Sequence, residues 1–152
     1  MSDTAADFGL LPPDTDTALV GEFIIESGEY LEGAEAALLA LESDPALVER
    51  ARSAVAALGC SNVEIAAGAL SEGHAAGAPY DVILVEGAVE TLPQGLHAQL
   101  REEGRLAVVE GVGNTGVARL YLRTGGSVTS RRAFNAAVKP LPGFERTPAF
   151  EF

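Results

Sequence analysis

The sequence holds a single cysteine, Cys60, which rules out an internal disulfide and a cysteine-based metal cluster. Its two histidines, His74 and His97, are too few to assemble a zinc site, so no metal ligands are predicted. No apolar stretch approaches the roughly 18 residues that a membrane-spanning helix needs. The opening, from Met1 to Asp14, has neither a basic start nor a long apolar centre, so no secretory leader is expected. A cytoplasmic protein without a membrane partner fits these absences. Basic residues are also scarce: 10 Lys and Arg stand against 22 Asp and Glu, for a formal net charge of −12. The phosphates of a nucleic acid would be repelled, so no nucleic-acid partner is expected. The sequence shows neither an internal repeat nor a low-complexity segment.

What is present is enough for one core. The chain has 152 residues, 47% of them hydrophobic and 21% charged, an ordinary mixture for one folded domain. Residues 1–15 are acidic and turn-rich and read as a tail; residues 16–152 read as a single domain. The run from Asp81 to Gly87 (DVILVEG) organises that domain. It is apolar without period-2 alternation, as expected of a strand covered on both faces at the centre of a parallel sheet. Thr17–Val20 and Ala37–Leu41 read as strands before it, with an amphipathic helix from Glu22 between them. Asp44 and Pro45 open a second helix as N-cap and first residue, and Gly59 closes it. Val63 and Ile65 mark a strand, and Pro93 starts a short helix carrying Leu96 and Leu100. Leu106–Val109 is a further strand, entered through a turn at Glu102-Glu103-Gly104. Ala118–Arg123 and Val128–Phe134 flank the turn Thr124-Gly125-Gly126-Ser127 as an antiparallel hairpin, and Ala149–Phe152 reads as a last strand. Repeated βα units that end in a hairpin predict an α/β fold, a doubly wound and mainly parallel sheet with an antiparallel edge.

In such sheets ligands bind beyond the carboxyl ends of the strands. A nucleotide-type site needs a glycine-rich first turn and commonly an acid after the second strand. Glu42 supplies the acid, although a solvated strand end would look the same. Asp44 is better explained as a helix cap. The glycine-rich turn is absent: after Gly21 come Glu22, Phe23, Ile24 and Ile25. Those side chains fill the place where backbone would meet ligand, and β-branched residues resist the positive φ of a tight glycine turn.

Several segments resemble, in order, the protein-L-isoaspartate O-methyltransferases, a class I S-adenosylmethionine-dependent family. They are Gly9-Leu10-Leu11-Pro12, Ala40–Pro45 (ALESDP), Tyr80–Glu90 (YDVILVEGAVE), Leu100–Leu106 (LREEGRL) and Leu122–Gly126 (LRTGG). The resemblance covers nearly all of the chain and matches the last two-thirds of the family's length. It implies a Rossmann-like class I methyltransferase sheet in a three-layer sandwich, mainly parallel with the antiparallel C-terminal hairpin. It also implies S-adenosylmethionine as cofactor, with Gly21, Glu42, Gly68 and Glu86 at the cofactor-binding positions and Glu42 on the ribose.

Departures from the family pattern shape the functional expectation. Of its glycine-rich first motif only Gly21 remains, and its Gly-Asp pair near the adenine falls on Gly68-Ala69, without the carboxylate. The family's catalytic and peptide-binding residues lie mostly ahead of the first strand, so no residue here inherits a catalytic role. The sequence therefore predicts a noncatalytic domain that binds no cofactor and works by oligomerising or by binding a protein partner, most simply as a homodimer. The alternative is an active S-adenosylmethionine-dependent enzyme of the isoaspartyl type with an atypical cofactor loop, its adenosyl pocket using Glu42 and Glu86.

Overall fold

The structure is a computed structural model that describes residues 37–111 and 113–145. The strands expected at Thr17–Val20 and Ala149–Phe152, the helix from Glu22, and Gly21 lie outside the described residues.

The first described unit is β1 (Leu38–Glu42), α1 (Pro45–Leu58) and β2 (Val63–Ala67). Its helix begins and ends where the sequence placed its caps. The Asp44 side chain accepts a hydrogen bond from the Ala46 amide at 2.8 Å, and Pro45 occupies the first position, where its missing N–H costs nothing. At the other end Gly59 takes φ 69°, the left-handed conformation that glycine adopts without steric cost. Val48 is the buried anchor of the helix, at 2% exposure. From the same helix Arg52 reaches across to the Ile65 carbonyl with Nε at 3.4 Å and Nη2 at 3.2 Å. Strands β1 and β2 pair in parallel, from Leu38 opposite Val63 to Glu42 opposite Ala67.

The second unit is a four-stranded sheet in the order β3-β4-β5-β6. Its members are β3 (Tyr80–Val89), β4 (Leu100–Glu110), β5 (Val117–Thr124) and β6 (Ser127–Asn135), with the short helix α2 (Gln94–Ala98) between β3 and β4. Strand β4 runs parallel to β3 and antiparallel to β5. The β5–β6 hairpin turns on Gly125 and Gly126, with φ of 59° and 75°, the pair of positive values that a two-residue hairpin turn needs. The Glu102 carboxylate accepts the amides of both glycines and holds the turn against β4.

Side chains of one sheet face meet α2 and the 141–144 segment to form the core: Val89, Leu92, Leu96, Leu100, Leu106 and Val108, closed by Phe144. Ile83 and Val85 pack against it from β3. The opposite face of β3 is open among the described residues, with Val82 51% and Leu84 61% exposed. Only β4 neighbours β3 as a strand there, apart from one bridge between Ala88 and Pro140. The expectation of a strand covered on both faces is therefore not met within the described residues. Two local expectations also change. Leu100 begins β4 rather than extending the helix. Glu102-Glu103-Gly104 is a bulge inside β4 rather than a turn before it: the partner of Tyr80 is Leu100 while that of Val82 is Arg105. Glu103 adopts φ 61° there. A Cβ on Gly104 would lie 2.9 Å from the carbonyls of Tyr80 and Arg101, which explains the glycine.

The connection from β2 to β3, expected as loop, contains two 3-10 turns, Leu70–Glu72 and Ala75–Gly77. A buried glutamine clasps it to α2. The Gln99 amide nitrogen donates to the carbonyls of Glu72 (2.8 Å) and Gly95 (3.2 Å), and its oxygen accepts the His74 amide at 2.9 Å. The Tyr80 hydroxyl donates to the His74 carbonyl at 2.7 Å. That spends its single proton, so His74 Nδ1, 3.1 Å from the same oxygen, serves as the donor in the second contact.

Candidate functional site at the strand ends

Glu42 closes β1, at the end of the sheet where ligands of α/β folds sit. Its carboxylate is fixed through one oxygen: Oε1 accepts the amides of Ser43 at 2.6 Å and Asp44 at 2.8 Å, and the Ser43 hydroxyl at 3.3 Å. None of these three bonds uses Oε2. Gly68 follows directly behind. Its amide donates to the Glu42 carbonyl at 3.0 Å, and a Cβ there would press on Leu41 Cδ1 at 3.2 Å. Next in the chain, Ala69 carries no polar group.

A cleft of about 840 Å³ opens beside these residues, walled by Leu47 and Arg50 of α1, Ile65 of β2 and Glu42 of β1, and it reaches Glu86 of β3. The structure thus brings three of the four expected cofactor positions to one region, Glu42 and Gly68 in contact and Glu86 across the cleft; Gly21 lies outside the described residues. The cleft presents three carboxylates, Glu42, Glu49 and Glu86, and one guanidinium, Arg50. Among the described residues there is no group of three or more His, Cys, Asp or Glu able to hold a metal, and no helix is long and apolar enough to cross a membrane.

A second polar constellation went unnoticed in the sequence. On the core face of the sheet, Glu110 at the end of β4 accepts the Tyr121 hydroxyl through Oε1, and its Oε2 lies 3.0 Å from Arg119 Nε. The His97 ring of α2 packs on Tyr121, with ring centroids 4.7 Å apart. Burial, then the Glu110 hydrogen bond and charge, push the Tyr121 pKa up to about 12, so the phenol stays protonated as a donor. Arg123 reaches back to the carbonyl of Leu100 at 3.2 Å and those of His97 and Ala98 at 3.5 Å, binding the end of α2 to the hairpin. The alternation of Arg119, Tyr121 and Arg123 along β5 was the available signal: period 2 puts all three on one face.

His97 makes stability pH-dependent. Burial lowers its pKa below the usual 6.5, with Glu110 opposing more weakly, and its Nε2 is buried without a hydrogen-bond partner. The unfolded chain takes up the proton first as pH falls. Stability is therefore lost from about pH 6.5 downward until the folded-state value is passed. Urea unfolding of His97→Phe should show less loss between pH 7 and pH 5.5 than the parent chain. Equal losses in the two proteins would refute this assignment.

With this geometry in place, the comparisons with known proteins are informative. Residues 23–142 match the model of the family described as Protein-L-isoaspartate(D-aspartate) O-methyltransferase (PCMT). Protein-L-isoaspartate O-methyltransferase 2 of Archaeoglobus fulgidus is 39% identical over 94 residues, covering 62% of this chain and 39% of that protein. Protein-L-isoaspartate O-methyltransferase 1 of Rhodopseudomonas palustris is 40% identical over 99 residues, covering 60% of this chain and 40% of its own length. This chain thus spans about two fifths of these curated relatives. Among solved structures, a protein-L-isoaspartate O-methyltransferase superposes with a TM-score of 0.64 at 25% identity, over 69% of this chain and 34% of that one. A Plasmodium falciparum chain in complex with S-adenosyl-L-homocysteine superposes with a TM-score of 0.58 at 20% identity, over 68% of this chain and 51% of that one. The mixed parallel and antiparallel sheet with its helices is accordingly that of the class I methyltransferases. A match running through β1, the Glu42 strand end and all of the four-stranded sheet places the chain in the protein-L-isoaspartate(D-aspartate) O-methyltransferase family.

Proposed function

We propose that this chain is a methyltransferase-like domain that neither binds S-adenosylmethionine nor transfers methyl groups, and that it works by associating with a protein partner, a second copy of itself included. The observation that carries this reading is Glu22-Phe23-Ile24-Ile25 where the family has its glycine-rich cofactor turn. The residues present fit only part of the cofactor. Glu42 Oε2 suits the ribose hydroxyls and Gly68 leaves space beside it, whereas Ala69 offers nothing to an adenine amine. Methyl transfer further requires a sulfonium held in line with its acceptor, and that demands a well-made cofactor seat. A cytoplasmic setting belongs to the same reading.

A specific observation favours a second reading, an active enzyme of the isoaspartyl type with an atypical loop: the Glu42 carboxylate is already oriented by two backbone amides. Calorimetric titration with S-adenosyl-L-homocysteine separates the two. The expected result is a dissociation constant weaker than about 1 mM. Micromolar binding that disappears in Glu42→Ala would establish the second reading instead.

A further inference from the structure

Two arginines face each other across the hairpin. Arg119 of β5 and Arg132 of β6 are register partners, so their side chains leave the same face as direct cross-strand neighbours. Like charges in that relation oppose sheet formation, yet each guanidinium is braced. Arg119 Nε lies 3.0 Å from Glu110 Oε2, and Arg132 Nη2 donates to the Asn135 side-chain carbonyl. Glu110 is shared, because its other oxygen holds the Tyr121 hydroxyl. Arg123, four residues beyond Arg119 on the same strand face, is engaged with the carbonyls of His97 and Ala98 in α2 and of Leu100.

The position of the pair matters as much as its charge. Glu110 ends β4; β5 runs back from that end, so Arg119 lies near its start; β6 runs parallel to β4, so Arg132 and Asn135 lie near its finish. All four residues thus sit at the end of the sheet where α/β folds present ligands. Arg132 is exposed and the Arg119 side chain is 35% exposed, so the pair addresses something presented at the surface rather than enclosed.

We propose that Arg119 and Arg132 together bind a carboxylate of an acidic polypeptide segment. Two guanidinium groups against the one carboxylate of Glu110 leave a single positive charge, which matches a monoanion better than a dianionic phosphate. The planar guanidinium fork also matches carboxylate geometry. This assigns a partner chemistry to the protein-binding reading above and rests on it; the cofactor titration tests that reading, and a separate peptide titration tests this site.

The experiment is fluorescence anisotropy of a labelled tetraglutamate peptide with the full chain at low salt. A tetraglutamine peptide and inorganic phosphate are run beside it. The expected result is saturable binding of tetraglutamate alone, weakened at least about tenfold by Arg132→Gln and by Arg119→Gln and by added salt. Arg132 is exposed, so its variant should fold, as circular dichroism will verify. Arg101→Gln removes a cation at the opposite end of β4, where it pairs with Asp81, and should leave binding unchanged. Absence of binding, binding unaffected by Arg132→Gln, or displacement by phosphate at peptide-like concentrations would each overturn the assignment.

Discussion

Gln99→Leu is expected to destabilise the protein by about 2–4 kcal/mol, seen as a lower urea midpoint with little change in slope. Gln99 is 7% exposed and is the buried polar side chain of the described core. Its side chain joins the β2–β3 connection, through the His74 amide and the Glu72 carbonyl, to the Gly95 carbonyl of α2. Leucine keeps the approximate volume but leaves one donor and two acceptors without their partner. An unmade buried hydrogen bond costs about 1–3 kcal/mol per group. The added apolar burial offsets a part, and water reaching the part-buried carbonyls offsets more. Space for compensation on the other side is short: a Cβ on Gly73 would lie 2.6 Å from the Gln99 amide oxygen. A loss below about 1 kcal/mol would mean that the clasp does not hold the connection.

Leu106→Ala should cost about 2–5 kcal/mol, the range for emptying a large side chain's place in a packed core. Leu106 has 0% exposure and lies between Ile83 of β3 and Tyr121 of β5 in the sheet register. Both neighbours are held by their strands, so the cavity cannot close without moving backbone. Leu84→Ala is the internal comparison. It lies next to Ile83 but points to the other face, 61% exposed, and should change stability by about 0.5 kcal/mol or less. Chemical denaturation of the two variants side by side reads the difference. Equal losses would show that the second face of β3 is as well packed as the first.

That contrast marks where the sequence stopped being informative. Val82-Ile83-Leu84-Val85 has no alternation, so periodicity could not tell the face of β3 that is covered among the described residues from the one that is not. Among the described residues the difference arises from α2 and the 141–144 segment, which pack on one side. Signals tied to individual backbone conformations fared better. Asp44, Pro45 and Gly59 fixed the limits of α1, and Gly125-Gly126 fixed the hairpin, because few other residues serve those geometries. Glu102-Glu103-Gly104 has the composition of a turn but makes a bulge: a glycine needed for close backbone approach looks the same in sequence as one needed for a turn. Of the site, Glu42 and Gly68 were named as cofactor positions by the family resemblance, and the structure puts them in contact, the Gly68 amide donating to the Glu42 carbonyl. The Glu110–Tyr121–Arg119 constellation was not, since its members join only through the antiparallel register of β4 and β5.

The order of strands has a consequence for assembly. Strands β4, β5 and β6 follow one another in the chain and pair as neighbours, the last two across a turn of two residues. Loop closure there is entropically cheap, because its cost grows with the length of chain enclosed. The parallel pairs need crossovers, α1 between β1 and β2 and α2 between β3 and β4. Arg119, Arg132 and Tyr121 therefore belong to the stretch of lowest contact order, which can reach its native arrangement without waiting for the rest. Glu42 and Glu86 come to line one cleft only after segments far apart in sequence have been brought together.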